Sequence, residues 1–116
     1  MIKQITLVHK RSDLSSEEFN KHWKEIHGPI FARSAPGLKK YMQNHFVRIP
    51  GVKYEGDGIA ETWFDSFEDQ RKLETWIRSE KAKEVLDDAV KFIDTSKGES
   101  VWFVEEHVIW ADENFK

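Results

Sequence analysis

The chain has 116 residues, a formal net charge of −3, no cysteine, five tryptophans and eight phenylalanines. The length fits one domain over 1–116. The missing cysteine excludes disulfides and thiolate metal sites, and the small net charge without a basic stripe argues against a nucleic-acid partner. No apolar run approaches the roughly 20 residues of a membrane span, and Met1 opens directly into a strand-like stretch without a signal-peptide pattern, so a cytoplasmic protein is expected. The 13% aromatic content argues against disorder. Charge is uneven: residues 1–48 carry nine Lys+Arg against four Asp+Glu (+5), and residues 49–116 carry nine against seventeen (−8). That division implies either two faces of opposite sign or a self-complementary surface.

Ile2 to His9 alternates as a strand, its Gln4/Thr6/Val8 face suiting a partly polar cavity and its Ile5/Leu7 face a packed core. A helix follows, with Ser15 as N-cap, Glu18 closing a capping box, and Leu14 and Phe19 as a hydrophobic staple. Phe19, Trp23, Ile26 and Ile30 fall in one narrow arc and predict the core face. Pro29 predicts an end or kink near His27-Gly28, with a short turn over 29–34. Leu38 to Arg48 reads as a second strand, 49–58 as a loop, and Gly58 to Asp65 as a third strand. Asp65 or Ser66 caps a second helix bearing Phe67, Leu73, Trp76 and Ile77. Ser79 starts a third, with Ala82, Val85, Leu86, Ala89, Val90 and Ile93 on one face, and Ser100 to Trp110 reads as the last strand.

The resulting β-α-β-β-α-(α)-β order is that of the α+β, ferredoxin-like split βαβ: a four-stranded antiparallel sheet with helices on one face. Both faces of the strands carry apolar or aromatic residues. A bare sheet face of that kind exceeds the patch a monomer usually exposes, so a two-fold homodimer, sheet against sheet with a cavity between, is expected.

His22 and His27 are five residues apart, about 140° around a regular helix, and flank the apolar stripe on opposite sides. They cannot share an ion unless the helix breaks between them, and no metal-binding spacing occurs. His27 sits at the Gly28-Pro29 interruption, where it can serve general acid–base chemistry or simply bond carbonyls freed by the proline. Tyr41, Gln43 and His45 share one strand face that can point into a cavity; for His45 a solvated face is the expectation, and for His22 a solvated edge. His107, near the chain end, is a candidate for the dimer interface. Glu61, between Ile59 and Trp63, either meets water, pairs with a base, or has a raised pKa, pairing being the commonest. Thr62, on the other face, offers a hydroxyl to orient a ligand. Phosphate loops, GxGxxG, GxSxG and a cysteine nucleophile are all missing from the sequence.

The run HKRSDLSSEEFNKHWKEIHGPIFARSAPGLKKYMQN (9–44), the stretch GIAETWFDSFED (58–69) and the end FID…VEEHVI (92–109) together resemble the EthD family, named for ethyl tert-butyl ether degradation. The resemblance covers nearly the whole chain and implies the dimeric α+β barrel superfamily, in a family described as linked to oxidative degradation. In methylmuconolactone isomerase relatives a histidine near the end of the first helix and a strand-two tyrosine serve the active site. The matching positions are His27 and Tyr41. Those relatives also use a strand-three cysteine where this chain looks to have Thr62, which departs from their mechanism. Haem-using relatives need a proximal histidine and further motifs not seen here, so no cofactor is expected, with haem a lesser alternative.

The expectation is therefore a homodimeric, cofactor-independent enzyme of isomerase, dehydratase/cyclase or oxidoreductase type, acting on a small apolar or aromatic molecule. His27 and Tyr41 would be catalytic, and Gln43, Thr62 and Trp63 would line the pocket. The rival is a non-catalytic binding or accessory protein for a hydrophobic metabolite.

Overall fold

The computed structural model describes residues 1–115. Its elements are β1 (Ile2–Val8), α1 (Ser16–His22), a π-helical turn (Trp23–His27), α2 (Gly28–Ser34), β2 (Lys40–His45), β3 (Gly58–Phe64), α3 (Phe67–Ile77), a 3-10 turn (Glu80–Ala82), α4 (Lys83–Ala89), a second 3-10 turn (Thr95–Lys97) and β4 (Ser100–Val104). The strands form one antiparallel sheet in the order β2-β3-β1-β4. This is the ferredoxin-like α+β arrangement expected from the element order.

The register sorts the side chains. Gln4 lies opposite Thr62, which lies opposite Tyr41, and this row and the Thr6–Ala60 row two positions on face the helices. The rows on either side of the first (Lys3, Trp63, Lys40 and Trp102, Ile5, Glu61, Met42) face away. Val8, Phe19, Trp23 and Phe92 form the core between the sheet and the first helical segment, with Leu14, Ala60 and Ile93 packed against it. The capping box forms as expected: Ser15 Oγ accepts from the Glu18 amide at 3.0 Å, and Glu18 Oε1 accepts from the Ser15 amide at 2.9 Å.

The regular helix is interrupted earlier than expected, after His22, and the change back to α geometry falls at His27-Gly28. The chain passes through the π turn, in which the Gly28 amide donates to the Trp23 carbonyl, and continues into α2 with Pro29 in its first turn, where a proline amide is not needed. Because a π turn takes up more residues than an α turn, the buried stripe runs Phe19, Trp23, His27 and not on to Ile26, which is 47% exposed, and Ile30, which is only half-buried. The stripe on the later helix is also displaced from expectation. Ala82, Val85, Asp88 and Phe92 are buried, whereas Leu86 and Val90 are exposed.

The last strand is shorter than expected. β4 ends at Val104, which pairs with Lys3 near the start of β1. Val108, Ile109 and Trp110 extend past the sheet and are exposed. His107 lies on the same extension, 3.6 Å from Glu105.

The uneven charge is largely interleaved within the chain. Cations of the first part meet anions of the second in Lys3–Glu61, Lys3–Glu106, Arg33–Glu84, Lys39–Asp65 and Arg48–Asp57.

Candidate active site between the helices and the sheet

A cavity of about 330 Å³ lies within the protomer, between the helix layer and the sheet. This cavity is formed by one protomer's own helices and sheet, on the sheet face opposite to the one expected to meet a second copy. Small side chains on the helix-facing sheet surface, Thr6, Ala60 and Thr62, leave room under α3 and α4, and the apolar wall is Phe31, Leu73, Ile77, Val85 and Ile93. His27, Tyr41 and Thr62 all line this one space. A second depression, along α3, is a shallow surface groove of exposed residues, Phe67 with the polar Glu68, Arg71, Lys72 and Thr75.

His27 is buried, lies tilted at 54° against Phe92 with ring centroids 4.8 Å apart, and bonds through Nδ1 to Asp88 Oδ2 at 3.0 Å. His22 reaches the same carboxylate, its Nε2 lying 3.0 Å from Oδ1. The two imidazoles, expected on opposite sides of a regular helix, meet on one acid because the π turn between them removes much of the 140° offset. His22 is therefore not merely a solvated edge. Among the described residues no buried side-chain nitrogen or oxygen lacks a partner. The His27 ring bonds only through Nδ1, so its Nε2 is open to the cavity. A carboxylate accepts from Nδ1–H and leaves Nε2 as the basic nitrogen, the arrangement of a general base held in one tautomer. Burial pushes the His27 pKa below the usual imidazole value, against the raising effect of Asp88, which favours the neutral base.

Tyr41 is held by a second network. Gln43 Nε2 donates to the Trp23 carbonyl at 2.9 Å and to the Tyr41 hydroxyl oxygen at 2.9 Å. With both amide hydrogens committed, Gln43 Oε1 accepts from His45 Nε2 at 2.8 Å, which assigns that ring its proton. His45 stacks on Trp23 at 4.9 Å and is half-buried, so the expected solvated strand face is corrected. Since the Tyr41 oxygen accepts from Gln43, its own proton is the one left to give to the cavity. Burial pushes the Tyr41 pKa above its ordinary value, against the Gln43 and Trp23 hydrogen bonds, so it stays a donor.

The other expected lining residues divide. Thr62 is buried at the cavity floor between Gln4 and Tyr41. Gln43 stands behind Tyr41 as its support and not in the wall. Trp63 is on the opposite sheet face, its ring 4.8 Å from each of the Lys3 and Lys40 ammoniums, because adjacent strand residues point to opposite faces. On that face Glu61 pairs with Lys3 and accepts from Asn44 at 3.0 Å. Burial alone would raise its pKa, but these bonds and the Lys3 charge bring it below the usual value, so pairing is the outcome.

Asp88, Gln70 and Glu74 were not signalled by the sequence. Gln70, 1% exposed, links Gln4 Oε1 at 3.1 Å to Glu74 Oε1 at 3.0 Å across the cavity's polar side. Asp88 follows an identical neighbour, Asp87, which pairs at the surface with Lys83. The available signal is that Asp88 lies three residues after Val85 and four before Phe92, both buried. No group of three His, Asp or Glu among the described residues is arranged to hold a metal ion. Among the described residues no helix is long and apolar enough to cross a membrane.

Residues 11–96 match the model of the EthD domain. The fold is similar to an EthD family protein of Bacillus halodurans C-125, at 25% identity over 92% of this chain and 99% of that one, with a TM-score of 0.65. It is also similar to an EthD-like protein of Ralstonia eutropha, at 13% identity over 97% of each chain and a TM-score of 0.63. A dimeric, ferredoxin-like protein of unknown function from Bacteroides fragilis matches at 13% identity over 90% of this chain and 95% of that one, with a TM-score of 0.60. No functionally curated protein matches. With the family model spanning most of its length, the chain belongs to the EthD family.

Proposed function

We propose that this protein is a homodimeric, cofactor-independent enzyme that moves a proton on a small, largely apolar or aromatic metabolite. The observation that carries the reading is the Asp88–His27 pair at the cavity, with Nε2 free and the Tyr41 proton unspent. His27 Nε2 takes a proton from a carbon made acidic by a neighbouring carbonyl. The imidazolium that forms is held against Asp88, and Tyr41 donates to the oxygen on which negative charge develops. Return of the proton to another carbon completes an isomerisation; loss of hydroxide as water, or attack of the carbanion on a second carbonyl, completes a dehydration or cyclisation. The dimeric state is supported by the exposed outer sheet face and by the dimeric Bacteroides fragilis neighbour.

Turnover assays on candidate carbonyl substrates test the roles. His27→Ala and Asp88→Ala each lower kcat by about 10²–10⁴-fold, the usual share of general acid–base catalysis, and Tyr41→Phe lowers it less. Unchanged turnover in His27→Ala and Tyr41→Phe overturns the assignment. The rival is a binding or accessory protein for a hydrophobic metabolite. It is favoured by the mostly apolar wall and by the absence, among the described residues, of a hydrogen bond joining His27 to Tyr41. It predicts a ligand retained unchanged through native purification.

A further inference from the structure

The charges around the cavity restrict what enters it. Its charged lining residues are Glu74, Arg78 and Glu99. Arg78 is 80% exposed at its side chain and its guanidinium lies 3.5 Å from Glu74, so it is directed to solvent and already paired. Behind His27 stands the buried Asp88 carboxylate. The carboxyl end of α3 borders the same space through Glu74 and Ile77, with Arg78 as its C-cap and the Trp76 carbonyl accepting from the Ser79 amide and hydroxyl. No unpaired cation among the described residues faces the interior. A ligand carboxylate would therefore lose its hydration without a partner and meet negative charge, a combination that costs far more than burying a neutral oxygen.

We infer that the cavity selects a neutral molecule, apolar or aromatic in body and carrying a hydroxyl or carbonyl oxygen, and rejects carboxylates. The inference rests on the reading of this cavity as the binding site. The polar oxygen is served by Tyr41 as donor, by His27 Nε2 as acceptor and by Thr62, which line the cavity together with the apolar Phe31, Leu73, Ile77, Val85 and Ile93. The volume, near 330 Å³, is at the small end of the roughly 300–1,000 Å³ range of ligand pockets, which fits a molecule of one or two rings.

The test is a titration of the ¹⁵N-labelled full chain at pH 7 with 2-naphthol and with 2-naphthoate, which share a ring system and differ in charge. The reporter is the Trp23 indole resonance, identified by its loss in Trp23→Phe, together with backbone amides of Ile77 and Val85. Saturable shifts at these positions are expected with 2-naphthol, and at least tenfold weaker binding with 2-naphthoate. Glu74→Gln is expected to tighten 2-naphthoate severalfold relative to 2-naphthol. Equal or tighter binding of 2-naphthoate, shifts confined to other residues, no binding of either probe, or an unchanged ratio in Glu74→Gln would overturn the inference. Because the titration reads equilibrium binding, a non-catalytic binding protein passes it and an enzyme with an anionic substrate fails it. Failure here and failure of the catalytic roles are therefore separate results.

Discussion

His27 combines burial, one carboxylate partner and one open nitrogen, and each has a consequence at the level of the single residue. Burial, the largest influence, lowers its pKa, so the folded protein resists a proton that the unfolded chain accepts below about pH 6.5. Stability from this group is complete above that pH and is lost as pH falls through 6.5 towards the folded value. Urea denaturation of wild type and His27→Gln across pH 7 to 5 measures this. The variant should show a shallower loss of unfolding free energy, and equal slopes would contradict the sign argued here. Asp88 shows why one residue can be essential to a site and unremarkable in sequence: Asp87 has the same side chain one position earlier and bonds a surface lysine.

The π turn is the element on which the site depends. It directs His27 and Phe31 inward, brings His22 and His27 to one carboxylate, and presents the Trp23 carbonyl to both the Gly28 amide and Gln43. Gly28 is required by close approach, not by backbone conformation: its φ is −54°, but an added Cβ would stand 2.7 Å from Gln43 Nε2 and 3.0 Å from the Trp23 carbonyl oxygen. Gly28→Ala is expected to expel the Gln43 amide and release Tyr41 while α1 and α2 remain helical. It should leave far-UV circular dichroism unchanged and lower Tyr41-dependent turnover as much as Tyr41→Phe does. Crystal structures with Gln43 unmoved would contradict this. At the other end of the core, Gly58 faces the Trp23 ring, which an added Cβ would approach to 2.6 Å, so the strand and the π turn are fitted to each other.

For the whole molecule, the outer sheet face is an unsatisfied surface. Trp102 is 52% and Met42 41% exposed at the two ends of one row across it, while Glu61 of that row forms a partly buried ionic cluster with Lys3 and Glu106. Burial of two aromatic or thioether side chains contributes roughly 1.5–3 kcal/mol each, enough to weight association between copies. Trp102→Glu with Met42→Glu is expected to convert a dimer to a folded monomer in analytical ultracentrifugation. An unchanged sedimentation coefficient would place the interface elsewhere, the 105–110 extension with its exposed Val108, Ile109 and Trp110 being the next surface to alter. The interior is expected to be less tolerant: Trp23→Ala, removing a 2% exposed ring from the Val8–Phe19–Phe92 cluster, should cost about 3–5 kcal/mol by chemical denaturation.

Local chemistry in the sequence determined the elements. The Ser15–Glu18 capping box, strand alternation and element order led to the ferredoxin-like sheet, and the run from His9 to Asn44 led to the EthD family. His27, Tyr41 and Thr62 were legible as candidates because their residue types and strand parity, or their place beside Gly28-Pro29, are local properties. The rest belonged to tertiary structure. Regular helical periodicity contains no π turn, so it placed Ile26 and Ile30 inside and kept His22 and His27 apart. Strand alternation separates two faces but does not say which one the helices cover, so Thr62 and Trp63 both stood as candidates, and the fold puts Trp63 on the face away from this cavity. The cavity's position within the protomer, and the selection of Asp88 over Asp87 as the partner of His27, follow from how α4 packs against the π turn. That packing is a contact between segments some sixty residues apart, which no local pattern records.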